Sequence, residues 1–275
     1  MQLKERETTM GQPIRFPTKD FAFDPRRPFR EQFPQDEAVV VDGIEFKLPV
    51  HFDDIEAHIF SIGAPKALVE GLLPALLRPS SWYHTYENMD PIVQFMFADV
   101  RQSSVGACRA CYITVPAKPK KKGSAWGGMV IWCAGDAVAK AAFSHLWGVP
   151  NAQLGAVSFS GEGLRHSLGV QAADGSRIDA VGDEADEAHR RQHVQVWNFY
   201  GKHPEKGKGG HKIRGNDNFL RSTGSSNDVP LGCLKASGPV TDLVGQILNA
   251  ATAANYQCYH RCEGIHSAPV RDVEE

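Results

Sequence analysis

The segment Asp136-Ala-Val-Ala-Lys-Ala-Ala-Phe-Ser-His-Leu-Trp-Gly-Val-Pro150 carries the strongest helix signal in the chain. Asp136 is a predicted N-cap, and Gly148 followed by Pro150 predicts the end of the helix. Four apolar residues at helical spacing predict its buried face: Val138, Ala142, Phe143 and Leu146. Strand-like runs lie on both sides of the segment, so we interpret it as an isolated helix in a mainly β protein.

Short strand signals dominate the rest of the sequence. Asp42-Gly43 between two β-prone runs predicts a tight hairpin over residues 39–46. Further strands are predicted at residues 55–60, 92–97, 108–115, 129–132, 156–160, 164–172 and 177–181. Helices do not alternate with these strands, which favours an α+β or barrel architecture and disfavours a doubly wound parallel sheet.

Two shorter helices are predicted outside the central segment. Pro65 at a first helical position begins an amphipathic helix over residues 65–73. Thr241 is the predicted cap of a second amphipathic helix over residues 241–251.

We expect three regions along the chain. Residues 1–36, rich in Pro, Arg and Phe, predict an extended N-terminal arm. Residues 37–263 form the predicted single domain, and residues 264–275 the predicted C-terminal tail. Within the domain, the Gly-, Lys- and His-rich residues 202–218 predict an exposed excursion, and the lysine run 118–122 predicts a solvated hairpin tip.

Composition excludes several classes of function. The 275 residues include 30 Lys plus Arg and 32 Asp plus Glu, a formal net charge of −2. A nucleic-acid binder would need a clustered cationic surplus, so we expect no nucleic-acid partner. No run approaches the roughly 18 apolar residues of a spanning helix, and the N-terminal residues lack a signal-peptide core, so we expect a cytoplasmic protein with no membrane partner.

The cysteines and two histidines could provide metal half-sites. Cys108 and Cys111 lie three apart on a predicted strand, where they face opposite sides of a sheet and cannot bind one ion. Cys258 and Cys262 form a second pair, and His189 and His193 stand four apart before a strand-like run. We predict small buried thiols, no metal and no cofactor; a zinc protein built from these pairs is the alternative.

Several landmarks resemble the acetoacetate decarboxylase family. Leu146-Trp-Gly-Val-Pro150 is similar to that family's Leu-Trp-Gly-Phe-Pro-Lys signature, and Pro91-Ile-Val-Gln-Phe95 is similar to its Pro-Leu-Val-Arg-Phe strand. Residues 106–116 match its next Gly-to-Pro segment in length. The resemblance covers roughly residues 45–175. It implies a mostly antiparallel closed β barrel with outer helices and a buried apolar pocket, usually in a homo-oligomer.

The resemblance also shows which catalytic groups this chain lacks. In that family, the lysine after the signature proline forms a Schiff base with a β-keto acid. The matching position here is Asn151, and the neighbouring lysine's position is Ala152. Two acidic positions of the family fall on Ala110 and Met96. Lys140 is predicted to face solvent, so we expect no Schiff-base chemistry.

The remaining candidates come from the polar and apolar residues around the signature. Asn151 is the predicted donor to an enolate or carbonyl oxygen, and His145 and His84 are the predicted acid or base groups. His84 belongs to the Trp82–Glu87 run. The predicted substrate-binding residues are Met96, Ala110, Trp147, Val149 and Pro150.

Two functions from different classes fit these residues. The first is an acetoacetate decarboxylase-like enzyme of specialised metabolism, acting on a β-keto or polyketide-like molecule by decarboxylation, dehydration, cyclisation or an aldol-type step. The second is a non-catalytic barrel that binds a hydrophobic small molecule, or an inactive subunit beside an active homologue. Both imply a hydrophobic small-molecule partner, and the sequence leaves both open.

Overall fold

The computed structural model describes residues 27, 29–80, 90–120, 127–149, 151–185, 191–202, 213–266 and 271–273. Within these residues there are four α-helices: α1 (Phe29–Gln32), α2 (Lys66–Leu72), α3 (Ala137–Ala141) and α4 (Thr241–Asn249). No helix among them has the length and apolar character needed to cross a bilayer. Strands make up most of the described chain, which confirms the predicted α+β class.

Fifteen strands are described. They are β1 (Glu37–Val41), β2 (Ile44–Leu48), β3 (Val50–Gly63), β4 (Leu77–Pro79), β5 (Ile92–Ser103), β6 (Cys108–Pro119), β7 (Gly127–Gly135), β8 (Gln153–Glu162), β9 (Arg165–Ala172), β10 (Arg177–Asp183), β11 (Arg191–Lys202), β12 (Ile213–Asp228), β13 (Leu234–Ser237), β14 (Ala253–His266) and β15 (Arg271–Val273). β1 and β2 form a separate hairpin, and the other thirteen belong to one sheet.

The large sheet is mostly antiparallel and forks at β7. Its order is β13-β10-β9-β8-β7-β11-β12-β14-β3-β5-β6-β4, with an additional pairing of β7 with β6. β7 pairs in parallel with β11 near its start and with β8 near its end. The pairing of β6 with β7 joins β7, β11, β12, β14, β3, β5 and β6 in a ring, and β8 leads from β7 into a second arm with β9, β10 and β13. The closed barrel is therefore predicted only in part, because the sheet as a whole stays open, with β13 and β4 as its edges.

The β1–β2 hairpin has the predicted turn. Asp42 and Gly43 both have positive φ, 49° and 79°, as a two-residue hairpin turn of this type requires. Val41 pairs with Ile44 across the turn, in antiparallel register.

The central helical segment begins as predicted and changes character half-way. The Asp136 carboxylate accepts hydrogen bonds from the backbone amides of Ala139 at 3.0 Å and Arg109 at 2.7 Å, so the predicted N-cap is confirmed. α3 ends at Ala141, and a π-helical turn continues from Ala142 to Leu146. In such a turn each hydrogen bond spans five residues in place of four, and these turns are frequent at functional sites.

Three other predictions are revised. Thr241 is the first residue of α4, not its cap: the cap is Val240, whose amide donates to the Ser176 hydroxyl at 3.1 Å. Residues 213–218 of the predicted excursion belong to β12, which pairs with β11. The polar composition of residues 202–218 hid this pairing, because strand-forming stretches lie on both sides of them. Residues 264–275 include the end of β14 and all of β15.

The two faces of the sheet pack into two hydrophobic cores. The first core contains Phe60, Phe95 and Tyr256 and is covered by α4. The second core lies on the opposite face, beneath the β1–β2 hairpin and α3. Cys111 belongs to the first core and Cys108 packs against the second, and Cys258 and Cys262 are divided in the same way. Neither cysteine pair can therefore form a metal half-site.

Replacing Asp136 with alanine removes both hydrogen bonds at the start of α3. We expect the free energy of unfolding to fall by about 1 kcal/mol, because the half-buried amide of Ala139 and the more exposed amide of Arg109 lose their acceptor. Urea denaturation measures the change. Asp136→Asn is the matched control, since its amide oxygen can still accept from Ala139, and it should retain most of the stability. An equal loss in both variants would contradict the capping role.

Candidate functional site

Six polar side chains meet on the face of the sheet that carries the first core. We call them the histidine–glutamate cluster; its members are Glu56, His58, His166, Glu184, Tyr256 and His260. The side chain of His58 is 1% exposed and that of Glu184 is 2% exposed, whereas His260 reaches solvent with 23% of its side chain. The cluster is thus buried at one end and accessible at the other.

Strand periodicity explains how two strands contribute four of these side chains. Glu56 and His58 are two apart on β3, and Tyr256 and His260 are four apart on β14, so each pair lies on one face of its strand. β3 and β14 are antiparallel neighbours, and Cys258 lies opposite His58 in the register. Ser225 on β12 lies opposite Cys258, which extends the row by one strand.

The second arm of the sheet covers this row. His166 on β9 pairs in register with Gly182 on β10, and Glu184 follows the end of β10. The ring centroids of His166 and His58 are 4.8 Å apart. A Cβ atom at Gly182 would lie 2.6 Å from the Tyr256 ring, so only glycine lets β10 approach β14 this closely.

Hydrogen bonds join the cluster into one network. His58 bonds through Nδ1 to the Tyr256 hydroxyl at 2.7 Å and through Nε2 to Glu56 Oε1 at 2.9 Å. His260 Nε2 lies 2.9 Å from Glu184 Oε1, and its Nδ1 lies 3.5 Å from Glu56 Oε2. His166 Nε2 lies 3.4 Å from Glu184 Oε2. Each carboxylate therefore contacts two imidazoles.

The network sets the protonation of its members. Hydrogen bonds from His260 and His58 hold the pKa of Glu56 far below its usual range, so Glu56 is ionised. Burial lowers the pKa of His58, which favours the neutral imidazole. The hydrogen bond with Glu56 raises the pKa of His260. Burial raises the pKa of Tyr256, whose hydroxyl keeps its proton.

The cluster also offers metal ligands. One ligand atom from each of Glu56, His58 and His166 lies within 4.8 Å of the others, and the same holds for His166, Glu184 and Cys258. The two groups share His166. Nitrogen, carboxylate oxygen and thiolate sulfur are the donors that zinc and related ions bind.

Four of the predicted substrate-binding residues lie together on the opposite face of the sheet. Met96, Ala110, Trp147 and Val149 are buried in the second core. Phe143 packs edge-to-face on Trp147, with ring centroids 4.8 Å apart. The structure therefore brings this predicted group together, apart from the histidine–glutamate cluster.

The predicted polar residues stand outside both groups. Asn151 is exposed in a turn with a φ of 60°. His145 lies 3.7 Å from Asp42 with half of its side chain exposed. Lys140 also contacts Asp42, at 3.8 Å, and is partly exposed, in line with the predicted solvent-facing position. His84 and Pro150 lie outside the described residues.

The alternation of polar side chains along two strands was a sequence signal for the histidine–glutamate cluster. Tyr256, Cys258 and His260 alternate along one strand, and so do Glu56 and His58. Polar residues at the inward positions of a buried strand indicate a functional role, because burying them without partners is costly. The missing information was the pairing of β14 with β3, since about 200 residues separate them in the chain.

Solved structures share this arrangement of strands. The acetoacetate decarboxylase from Legionella pneumophila is 12% identical, with 93% of this chain and 98% of that chain covered and a TM-score of 0.50. The enduracididine biosynthesis enzyme MppR in complex with pyruvate is also 12% identical, covers 82% of this chain and 90% of its own, and has a TM-score of 0.55. The chain has an acetoacetate decarboxylase-like fold.

Sequence comparison adds nothing to this structural likeness. No model of a known protein family matches the chain, and no curated protein matches it by sequence. The resemblance expected from the Leu146–Pro150 segment is confirmed at the level of the acetoacetate decarboxylase-like fold. At 12% identity the likeness extends to the fold alone, so the function has to be argued from the site.

Gly182→Ala tests whether close contact between β10 and β14 positions Tyr256. The added methyl group would overlap the Tyr256 ring, and we expect a loss of about 1–3 kcal/mol in the free energy of unfolding, which is typical of overpacking. Urea denaturation monitored by tyrosine near-UV circular dichroism reports both effects. Gly232→Ala is the control, because nothing lies within 4 Å of the added atom. Unchanged stability of Gly182→Ala would contradict the described packing.

Proposed function

We propose that this protein is an acetoacetate decarboxylase-like enzyme that acts on a β-keto or polyketide-like small molecule without a Schiff base. The observation that carries the proposal is the histidine–glutamate cluster, which joins three imidazoles, two carboxylates and a phenol by hydrogen bonds on one face of the sheet. Such a concentration of buried titratable groups exceeds what the packing of a sheet requires.

The chemistry of a β-keto acid defines what the site must supply. During decarboxylation the bond between the carboxylate carbon and the α-carbon breaks, carbon dioxide leaves, and the electron pair moves into an enolate. A proton then adds to the α-carbon. The enolate oxygen needs hydrogen-bond donors or a cation in a site with little water. The imidazole N–H groups of His166 and His260 and the hydroxyl of Tyr256 are donors of this kind.

Dehydration, cyclisation and aldol-type steps make the same demand. Each passes through an enolate or enol next to a carbonyl, so the same donors stabilise the charge while a neighbouring carboxylate or imidazole moves the proton. We place the protein in specialised metabolism, in the cytoplasm, and we propose a homo-oligomer, as the sequence resemblance implies.

The absence of a Schiff base is part of the proposal. Asn151 stands at the position of the nucleophile, and an amide nitrogen cannot form an imine with a ketone. Lys140 contacts Asp42 on the other face of the sheet, and its side chain is partly exposed. A Schiff-base lysine needs a desolvated site, and Lys140 does not occupy one.

The second core supports the alternative function. Met96, Ala110, Trp147 and Val149 are all apolar and buried under α3 and the hairpin, so a hydrophobic molecule could bind there without being transformed. In that case the protein is a non-catalytic binding protein or an inactive subunit, and changes in the histidine–glutamate cluster should leave ligand binding intact.

Turnover of a panel of β-keto acids and β-diketones distinguishes these functions. We expect His260→Ala to lower kcat/KM at least about 100-fold, the contribution typical of an acid–base group. Lys140→Ala is the control and should retain wild-type kcat/KM. Full activity of His260→Ala together with a loss in Asn151→Ala would place the active site at the end of the helical segment. Binding without turnover of any compound would favour the alternative.

Borohydride reduction in the presence of the best substrate tests the missing Schiff base. We expect intact-protein mass spectrometry to show no added mass, because no lysine amine reaches the substrate carbonyl. A reduced lysine adduct, mapped by peptide sequencing, would contradict this part of the proposal.

A further inference from the structure

We propose that Glu56, His58 and His166 bind a divalent transition-metal ion of the zinc type. From the sequence we expected no metal, because the half-sites considered there were pairs of residues close together in the chain, such as Cys258 with Cys262 and His189 with His193. The three ligands come from β3 and β9, which stand in different arms of the sheet. Metal binding by these residues does not depend on the proposed function. The catalytic use of the metal does rest on the proposed function.

The distances between the donor atoms suit coordination. A tetrahedral or octahedral ion with bonds of about 2.0–2.2 Å separates neighbouring ligand atoms by about 3–3.5 Å. His58 Nε2 and Glu56 Oε1 are already 2.9 Å apart, and every pair of ligand atoms in the triad lies within 4.8 Å. The side chain of His166 is partly exposed, and coordination would require its ligand atom to approach the other two to within about 3–3.5 Å.

The neighbours of the triad have the geometry of second-shell groups. A metal-binding imidazole usually donates its other ring N–H to a protein group. His58 Nε2 bonds to Glu56 in the metal-free protein, so an ion would displace the proton that this bond holds. Nδ1 would then donate to the Tyr256 hydroxyl, which lies 2.7 Å away. The second oxygen of Glu56 contacts Arg101 and lies 3.5 Å from His260 Nδ1, which fixes the carboxylate.

The donor set indicates the class of ion. Two imidazoles and one carboxylate bind zinc in catalytic sites and ferrous iron in facial triads, whereas magnesium and calcium prefer oxygen donors throughout. Three protein ligands leave at least one coordination position for substrate.

The open position gives the ion a chemical role. A ketone oxygen of a β-keto acid bound to the ion would carry less charge in the transition state, so the ion would stabilise the enolate left when carbon dioxide departs. This is the task that a protonated imine performs in a Schiff-base mechanism. The metal therefore provides a physical reason why a chain with Asn151 at the nucleophile position could still act on such substrates.

Metal content and affinity test the site without an activity assay. We expect the full-length protein to retain about one equivalent of zinc after dialysis and to bind added Zn²⁺ much more tightly than Mg²⁺, as measured by mass spectrometry of the metal and by competition with a chromophoric chelator. The isosteric variants Glu56→Gln and His166→Asn should each weaken zinc binding at least about 10-fold. His145→Asn changes an exposed histidine and is the control for affinity.

The outcomes separate the two proposals. Zinc binding that is absent, no stronger than magnesium binding, or equally affected by His145→Asn would overturn the metal site. Circular dichroism of each variant shows whether a loss of zinc comes from unfolding, and absorption of the Co²⁺-loaded protein reports the ligands directly, so a spectrum unchanged by His166→Asn also counts against the site. Zinc bound as predicted, with no substrate turned over, would sink only the proposed function. Turnover that survives complete removal of zinc would leave the enzyme proposal standing without the metal.

Discussion

The antiparallel pairing of β14 with β3 determines what the rest of this structure can do. In its register Cys258 lies opposite His58 and Tyr256 lies opposite Phe60. A shift of one residue would turn every one of these side chains to the other face of the sheet, because the side-chain period of a strand is two. The polar residues of β14 would then enter the second core, where side chains such as Met96 and Ala110 cannot complete a histidine–glutamate network.

Burial of so many polar groups is tolerable only because they satisfy one another. A carboxylate taken out of water is costly unless donors surround it. Glu56 contacts His58, His260 and Arg101, and Glu184 contacts His166, His260 and Ser225. Removal of one member takes a partner from each of its neighbours, so these groups should behave as a unit in mutagenesis. Because of this coupling, binding of a substrate or a metal to one member of the cluster should change the hydrogen bonding of several others.

The sequence predicted local features well and the distant ones poorly. The Asp42-Gly43 turn and the Asp136 cap depend on residues close in the chain, and both were predicted correctly. Thr241 failed as a cap because Val240 is the cap residue, and its amide donates to the hydroxyl of Ser176, which is distant in sequence. The closed barrel was predicted only in part, because the second arm that leaves the ring of strands at β7 depends on strand pairing that the sequence does not show. The family resemblance drew attention to the end of α3, whereas the polar cluster depends also on β10 and β14, which lie beyond the residues 45–175 that the resemblance covers.

The central claim is that small molecules bind at the histidine–glutamate cluster. Histidine ring ¹⁵N spectra of the full-length protein, assigned by single His→Asn variants and recorded during titration with a β-diketone, test it most directly. The account predicts saturable shifts at His58, His166 and His260, with no shift at His145. Shifts confined to His145, or none at the three cluster histidines while the β-diketone demonstrably binds, would contradict it.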